Sequence, residues 1–121
     1  MSGFISELTS TVDSESPREE RARTAAEMIR AARNFRWLGI YDIDDDDVAL
    51  IGDAGERTAS EAARIRATVV AGGEIVVPIL GAESGIVIGT IDAQSERVDA
   101  GVADDVAFLE ECAAALRPLY D

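Results

Sequence analysis

The chain predicts an α+β fold in which terminal helices cover one face of a sheet, and three features point to it. Helical spacing of Ala22, Ala25, Ala26 and Ile29 gives way at Phe35 to two-residue alternation through Trp37, Gly39, Tyr41 and Ile43. Two short apolar runs, Ile75 to Leu80 and Ile86 to Ile91, flank the turn-forming segment Gly81-Ala82-Glu83-Ser84-Gly85. A last segment carries Val102, Val106, Leu109, Ala113 and Leu116 at heptad-like spacing ahead of Pro118. The order of elements is helix, two strands, short helix, two or three strands, helix, which is that of an α+β sandwich.

Residues 1–15 are polar apart from Phe4, Ile5 and Leu8, and form an N-terminal arm or a short helix. Residues 16–121 form one domain, long enough to bury a core. Ser16-Pro17-Arg18-Glu19 has the composition of a helix start, with Ser as N-cap, Pro at the first position and Glu three residues after the cap, so a helix is expected over 17–33. Phe35, Trp37, Gly39, Tyr41 and Ile43 share one face of the following strand, Leu38 and Ile40 the other. Asp44-Asp45-Asp46-Asp47 turns the chain into a second strand, Val48-Ala49-Leu50-Ile51, and Ala54-Gly55 ends the hairpin. Thr58 and Glu61 make a capping box for a short helix reaching about Arg66, with Ala59, Ala62, Ala63 and Ile65 toward the sheet. Thr68-Val69-Val70 suits either a strand joined through Gly72-Gly73 to the next one or the end of that helix.

Charge narrows the function. There are 24 acidic residues against 11 basic ones, a net charge of −13, and every base is arginine. Such a surface repels phosphate backbones and anionic headgroups, so neither nucleic acid nor a membrane surface is an expected partner. An acidic shell with Arg and no Lys suits a high-salt cytoplasm, where repulsion is screened; a high-GC codon bias accounts for Arg over Lys equally well. No apolar run is long enough to span a membrane, and no signal-peptide pattern opens the chain, so the expected location is cytoplasmic.

With no histidine, Ser-His-Asp and Cys-His nucleophile systems and imidazole metal ligands are excluded. With no lysine, so are a Schiff base and a phosphate-loop lysine. The one cysteine, Cys112, has no intrachain partner and lies beside the apolar seam, where a small buried thiol is expected. The acidic run Asp42 to Asp47 lacks the central Gly and closing Glu of a calcium loop, so no metal site is assigned and the run is a solvated turn. No cofactor is implied.

Two carboxylates stand out: Glu74 opens one apolar strand and Asp92 closes the next. Acids flanking buried runs are costly unless something pairs with them or binds them. Glu74 as a solvated edge acid, Asp92 as a turn cap and Trp37 as a core residue are the alternatives that composition leaves open. Arg36, Arg64 and Arg66 are the bases that could neutralise the acids into a structural ion pair.

Three segments, Trp37-Leu38-Gly39-Ile40-Tyr41, Glu74-Ile75-Val76-Val77-Pro78-Ile79 and Gly89-Thr90-Ile91-Asp92-Ala93-Gln94-Ser95, together resemble the GAF domain, and within it the free methionine-(R)-sulfoxide reductases. The resemblance spans about residues 35–116. It implies a GAF-like antiparallel sheet of five or so strands with N- and C-terminal helices packed on one face. It also implies a pocket in which Trp37, Tyr41, Glu74 and Asp92 hold a small polar ligand of amino-acid type, and a homodimer formed through the terminal helices. Aromatic walls at Trp37 and Tyr41 suit a cation or a sulfur, and the two acids would accept from ammonium or amide groups.

The departures bear on chemistry. The family's catalytic and resolving cysteines lie on a long segment ahead of the Glu-bearing strand; here about 20 residues separate Gly55 from Glu74, and none is cysteine. Gln94 replaces the second acid of the family's last motif, and Gly73 its serine. A thiol route needs a thiolate at the pocket and a second thiol to resolve the sulfenate. The leading expectation is therefore a stand-alone GAF-type binding or regulatory domain without catalysis. The alternatives are a divergent reductase using Cys112 with an external thiol, and a structural module whose pocket has closed.

Overall fold

A computed structural model gives the architecture and describes residues 3–44, 47–57, 68–71, 73–95 and 102–120. The elements are α1 (Gly3–Val12), α2 (Arg18–Arg33), β1 (Trp37–Asp44), β2 (Asp47–Gly55), β3 (Val69–Ala71), β4 (Glu74–Leu80), β5 (Val87–Gln94) and α3 (Val102–Ala115), followed by a 3₁₀ turn, Arg117–Tyr120. The described strands form one sheet in the order β2-β1-β5-β4-β3, and every neighbouring pair is antiparallel. The short helix expected over Thr58 to Arg66 lies outside the described residues.

Strand alternation sends Leu38, Ile40, Val77, Ile79, Ile91 and Ala93 to one face, where they pack with Leu8, Val12, Ala25, Ile29, Leu109 and Cys112 of the three helices and with Leu116 just after α3. Burial of that apolar face is the main force joining helices to sheet. Leu109, Cys112, Ala113 and Leu116 thus spend the heptad-like seam on the chain's own core. A dimer through α3 would have to use its outward face. The opposite face of β1 carries a separate small cluster, Trp37 and Tyr41 with Val48.

Several boundaries differ from the sequence reading. The capping box at Ser16 does not form: Pro17 occupies the N-cap position with ψ 148° and no side-chain cap, and the first turn relies on Glu19 and Glu20 beside the helix dipole. Phe35 belongs to the helix-side core, because Asn34 in the left-handed region (φ 57°) ends α2 and the strand starts only at Trp37. The segment after Thr68 is a strand, Val69–Ala71, with Val69 opposite Val76 and Ala71 opposite Glu74. β5 runs through Gln94 rather than ending at Ile91, so Asp92 is an interior strand residue and not a turn cap. β4 is flanked by β3 and β5, which makes Glu74 the first residue of an inner strand and not a solvated edge acid.

Candidate ligand-binding site

The sequence-predicted residues meet on the sheet face turned away from the helices. Register stacks them in three rows: Glu74, Gln94 and Trp37 are Cα partners in the first, Val76, Asp92 and Gly39 in the second, Pro78, Thr90 and Tyr41 in the third. β2 adds Asp53 beyond Gly39, and a bulge between Ile40 and Tyr41 shifts the register so that Leu50 faces Tyr41. Trp37, Tyr41, Glu74 and Asp92 are therefore neighbours on one surface, although 55 positions separate the first from the last.

Gly39 makes room for the tryptophan. A Cβ there would run into the six-membered ring of Trp37, so the indole lies over the glycine. In that pose Nε1 donates to Oδ2 of Asp53 at 2.9 Å, the partner that a buried indole N–H requires. The Trp37 and Tyr41 rings meet edge to face, with centroids 6.5 Å apart at 69°. On the other side of the sheet the Tyr120 hydroxyl donates to the Tyr41 backbone carbonyl at 2.6 Å, and Gly89 leaves the space for that phenol.

The acids form a unit. Asp92 is only 1% exposed, and its carboxyl is pushed up to about 8 by burial first, then by a hydrogen bond with Glu74 and by the Glu74 charge, with Arg57 opposing. A hydrogen bond between two carboxyl groups needs a proton, so the pair holds one near neutrality. Apart from Glu74, Oδ1 of Asp92 is buried with no hydrogen-bond partner among the described residues. Burial likewise raises Tyr41, with Arg57 lowering it and Asp92, Glu74 and Asp53 raising it further.

Two members of the site, Asp53 and Arg57, were not singled out in the sequence. Nη2 of Arg57 donates to the Tyr41 hydroxyl at 2.8 Å, and its guanidinium lies over Trp37 at 5.1 Å and over Tyr41 at 5.9 Å. Arg36, one of the bases that could neutralise the acids, donates to Oε1 of Gln94 at 3.4 Å. Arg64 and Arg66 lie outside the described residues. The acceptor need of a buried tryptophan N–H was the available signal for Asp53; Arg57 carried none.

Cys112 is elsewhere. It is fully buried among the helix-side apolar residues, and burial pushes its thiol up to about 12, with Glu111 adding and Arg33 opposing. Among the described residues no group of three or more His, Cys, Asp or Glu could hold a metal ion, and no helix is long and apolar enough to cross a membrane.

No family model and no curated protein matches the chain. Solved structures do. A free methionine-R-sulfoxide reductase from Neisseria meningitidis, in complex with its substrate, superposes with TM-score 0.77 at 23% identity, covering 97% of this chain and 86% of that one. The nlh2 GAF domain of A. aeolicus superposes with TM-score 0.81 at 11% identity, covering 98% and 93%. The fold is the GAF fold. A type II free methionine-R-sulfoxide reductase from Thermoplasma acidophilum shares it with TM-score 0.67 at 24% identity, over 85% of this chain and 94% of that one. Identities this low carry the GAF fold and leave the site to be argued from its own residues.

Proposed function

We infer that the chain is a ligand-binding GAF-type domain that holds a small polar molecule against Trp37, Tyr41, Glu74 and Asp92. The observation carrying this reading is Asp92. A carboxyl that is 1% exposed and whose Oδ1 finds no partner beyond Glu74 among the described residues costs stability that a purely structural strand residue would not. Its position beside an aromatic pair suits a ligand offering an N–H or O–H donor and a compact apolar or sulfur-bearing part. The solved GAF-fold structures include a reductase captured with its substrate, which supports a small polar ligand for this fold.

Catalysis by a thiol is not part of the reading. Cys112 packs in the helix-side core rather than in the aromatic cluster, its thiol is held protonated, and the chain has no second cysteine to resolve a sulfenate.

A thermal-shift panel of amino acids, methionine sulfoxide epimers and nucleotides tests the proposal. A saturable rise in melting temperature with one chemical class is expected, lost in both Asp92→Asn and Glu74→Ala. If no compound raises the melt, or if both variants respond like the parent, the assignment of this face as a binding site fails.

A further inference from the structure

We propose that Arg57 is the anion-recognition residue of the site: the ligand carries a carboxylate or similar oxyanion that seats on this guanidinium, while a donor group turns to Glu74 and Asp92. This rests on the ligand-binding reading above and gives the ligand its second charged end.

Arg57 lies two residues past β2 and is exposed, yet two aromatic faces and one phenol fix it in place. Asp53, Glu74 and Asp92 all belong to the same face, and the Arg57 charge is felt at Asp92. Among the described residues, however, Arg57 makes no ion pair within 4 Å. Exposed arginines near acids ordinarily pair with them, since a carboxylate matches the guanidinium fork. Here Asp53 is turned to the Trp37 indole and Asp92 shares its proton with Glu74, so the nearby acids are engaged elsewhere. A guanidinium has five N–H donors; ring contact consumes none, and Tyr41 takes one. The result is a positioned cation whose preferred partner class is an anion.

The same geometry revises the use of the aromatic walls. A ligand cation or a sulfur was the expected occupant, but the face of Trp37 is already covered by a cation that the chain supplies itself, which disfavours the first of these. An ammonium ligand would have to displace Arg57; an oxyanion would meet it in place.

Trp37 is the only tryptophan, so its emission reports on the guanidinium above it. The test titrates the full chain with sodium acetate, acetamide and tetramethylammonium chloride at constant ionic strength held with sodium chloride. The parent is expected to give a saturating acetate response and none with acetamide or tetramethylammonium. Arg57→Met should weaken the acetate response about tenfold or more, the loss expected when a hydrogen bond to a charged group goes. Arg57→Lys, which keeps the charge without the fork, should fall between. Circular dichroism and the ligand-free melt check that Arg57→Met is folded; an exposed side chain should change neither much. An acetate response equal in parent and Arg57→Met, or absent from the parent, overturns the proposal. So does tetramethylammonium saturation appearing in Arg57→Met, which would make Arg57 a plug in a cation seat. Panel compounds that still bind Arg57→Met but not Asp92→Asn would sink the Arg57 role alone and leave the binding reading standing. A panel with no binder removes that reading instead.

Discussion

Asp92 sets the behaviour of the site at the scale of one residue. An aspartyl carboxyl ordinarily titrates near 3.8, and burial with Glu74 alongside moves this one up to about 8. Between those values the folded chain keeps a proton that the unfolded chain has released, so stability falls as pH rises. The contribution of protonated Asp92 is complete below about pH 4 and lost on approaching pH 8. Asn imitates the neutral acid and cannot ionise. The difference in stability between Asp92→Asn and the parent should therefore favour the variant increasingly from pH 5 to pH 9, by on the order of 1–3 kcal/mol, because the proton is shared with Glu74. Melting curves of the two proteins in matched buffers measure it. A difference that stays constant with pH would mean that Asp92 titrates normally. Cys112 adds its own loss of stability only from about pH 9 upward, where the unfolded thiol ionises and the buried one, pushed up to about 12, does not, and that loss is common to both proteins and cancels in their difference.

At the scale of the element, β1 is where packing and site are joined. Its core-side residues Leu38 and Ile40 are fully buried under the helices, while Trp37 and Tyr41 stand on the other face. The whole arrangement depends on Gly39, over which the indole lies. Gly39→Ala places a methyl against the ring and should cost about 1–3 kcal/mol by overpacking. It should also free Nε1 from Asp53 and shift the Trp37 emission to longer wavelength; unchanged emission with an unchanged melt would show that the ring is not held there. Much of β1 was legible in the sequence, because Trp37, Gly39 and Tyr41 alternate cleanly with Leu38 and Ile40. β5 was legible only as far as Ile91. Beyond it the period of two continues, with Ala93 facing the core, but Asp92 and Gln94 are polar and read as a strand end. β2 hid its site residue for another reason. The bulge beside Tyr41 shifts the pairing by one position, so that Asp53 and not an alternation partner of Leu50 comes to the face, and no linear pattern announces a bulge. Arg57 was unreadable because its place is set by three-dimensional contact with two rings that lie 20 and 16 positions earlier.

At the scale of the whole molecule, charge is the property that the fold does not consume. Arg18 pairs with Asp42 at 3.2 Å and Arg33 with the buried Asp105 at 3.5 Å, whereas the chain carries 13 more acids than bases. The partly exposed Arg18–Asp42 pair contributes little, and most of the excess acids must repel one another in the compact state more than in the expanded one. Salt acts on both terms. It weakens the few attractions, but the repulsions are more numerous and longer in range, and so are the more strongly screened. Raising sodium chloride shortens the screening length from roughly 10 Å at 0.1 M to about 3 Å at 1 M, after which little repulsion is left to remove. The melting temperature should therefore climb between about 0.05 and 1 M and then flatten. A curve that continues to rise in multimolar potassium chloride would show a requirement beyond screening, the behaviour of a surface adapted to a saline cytoplasm. A flat or falling curve from the start would mean that the acidic excess does not strain the fold and that the arginine-only bases reflect codon usage alone. Repeating the series with Asp92→Asn separates the surface from the site, because a buried pair is shielded from bulk ions and its pH-dependent difference should persist at every salt concentration.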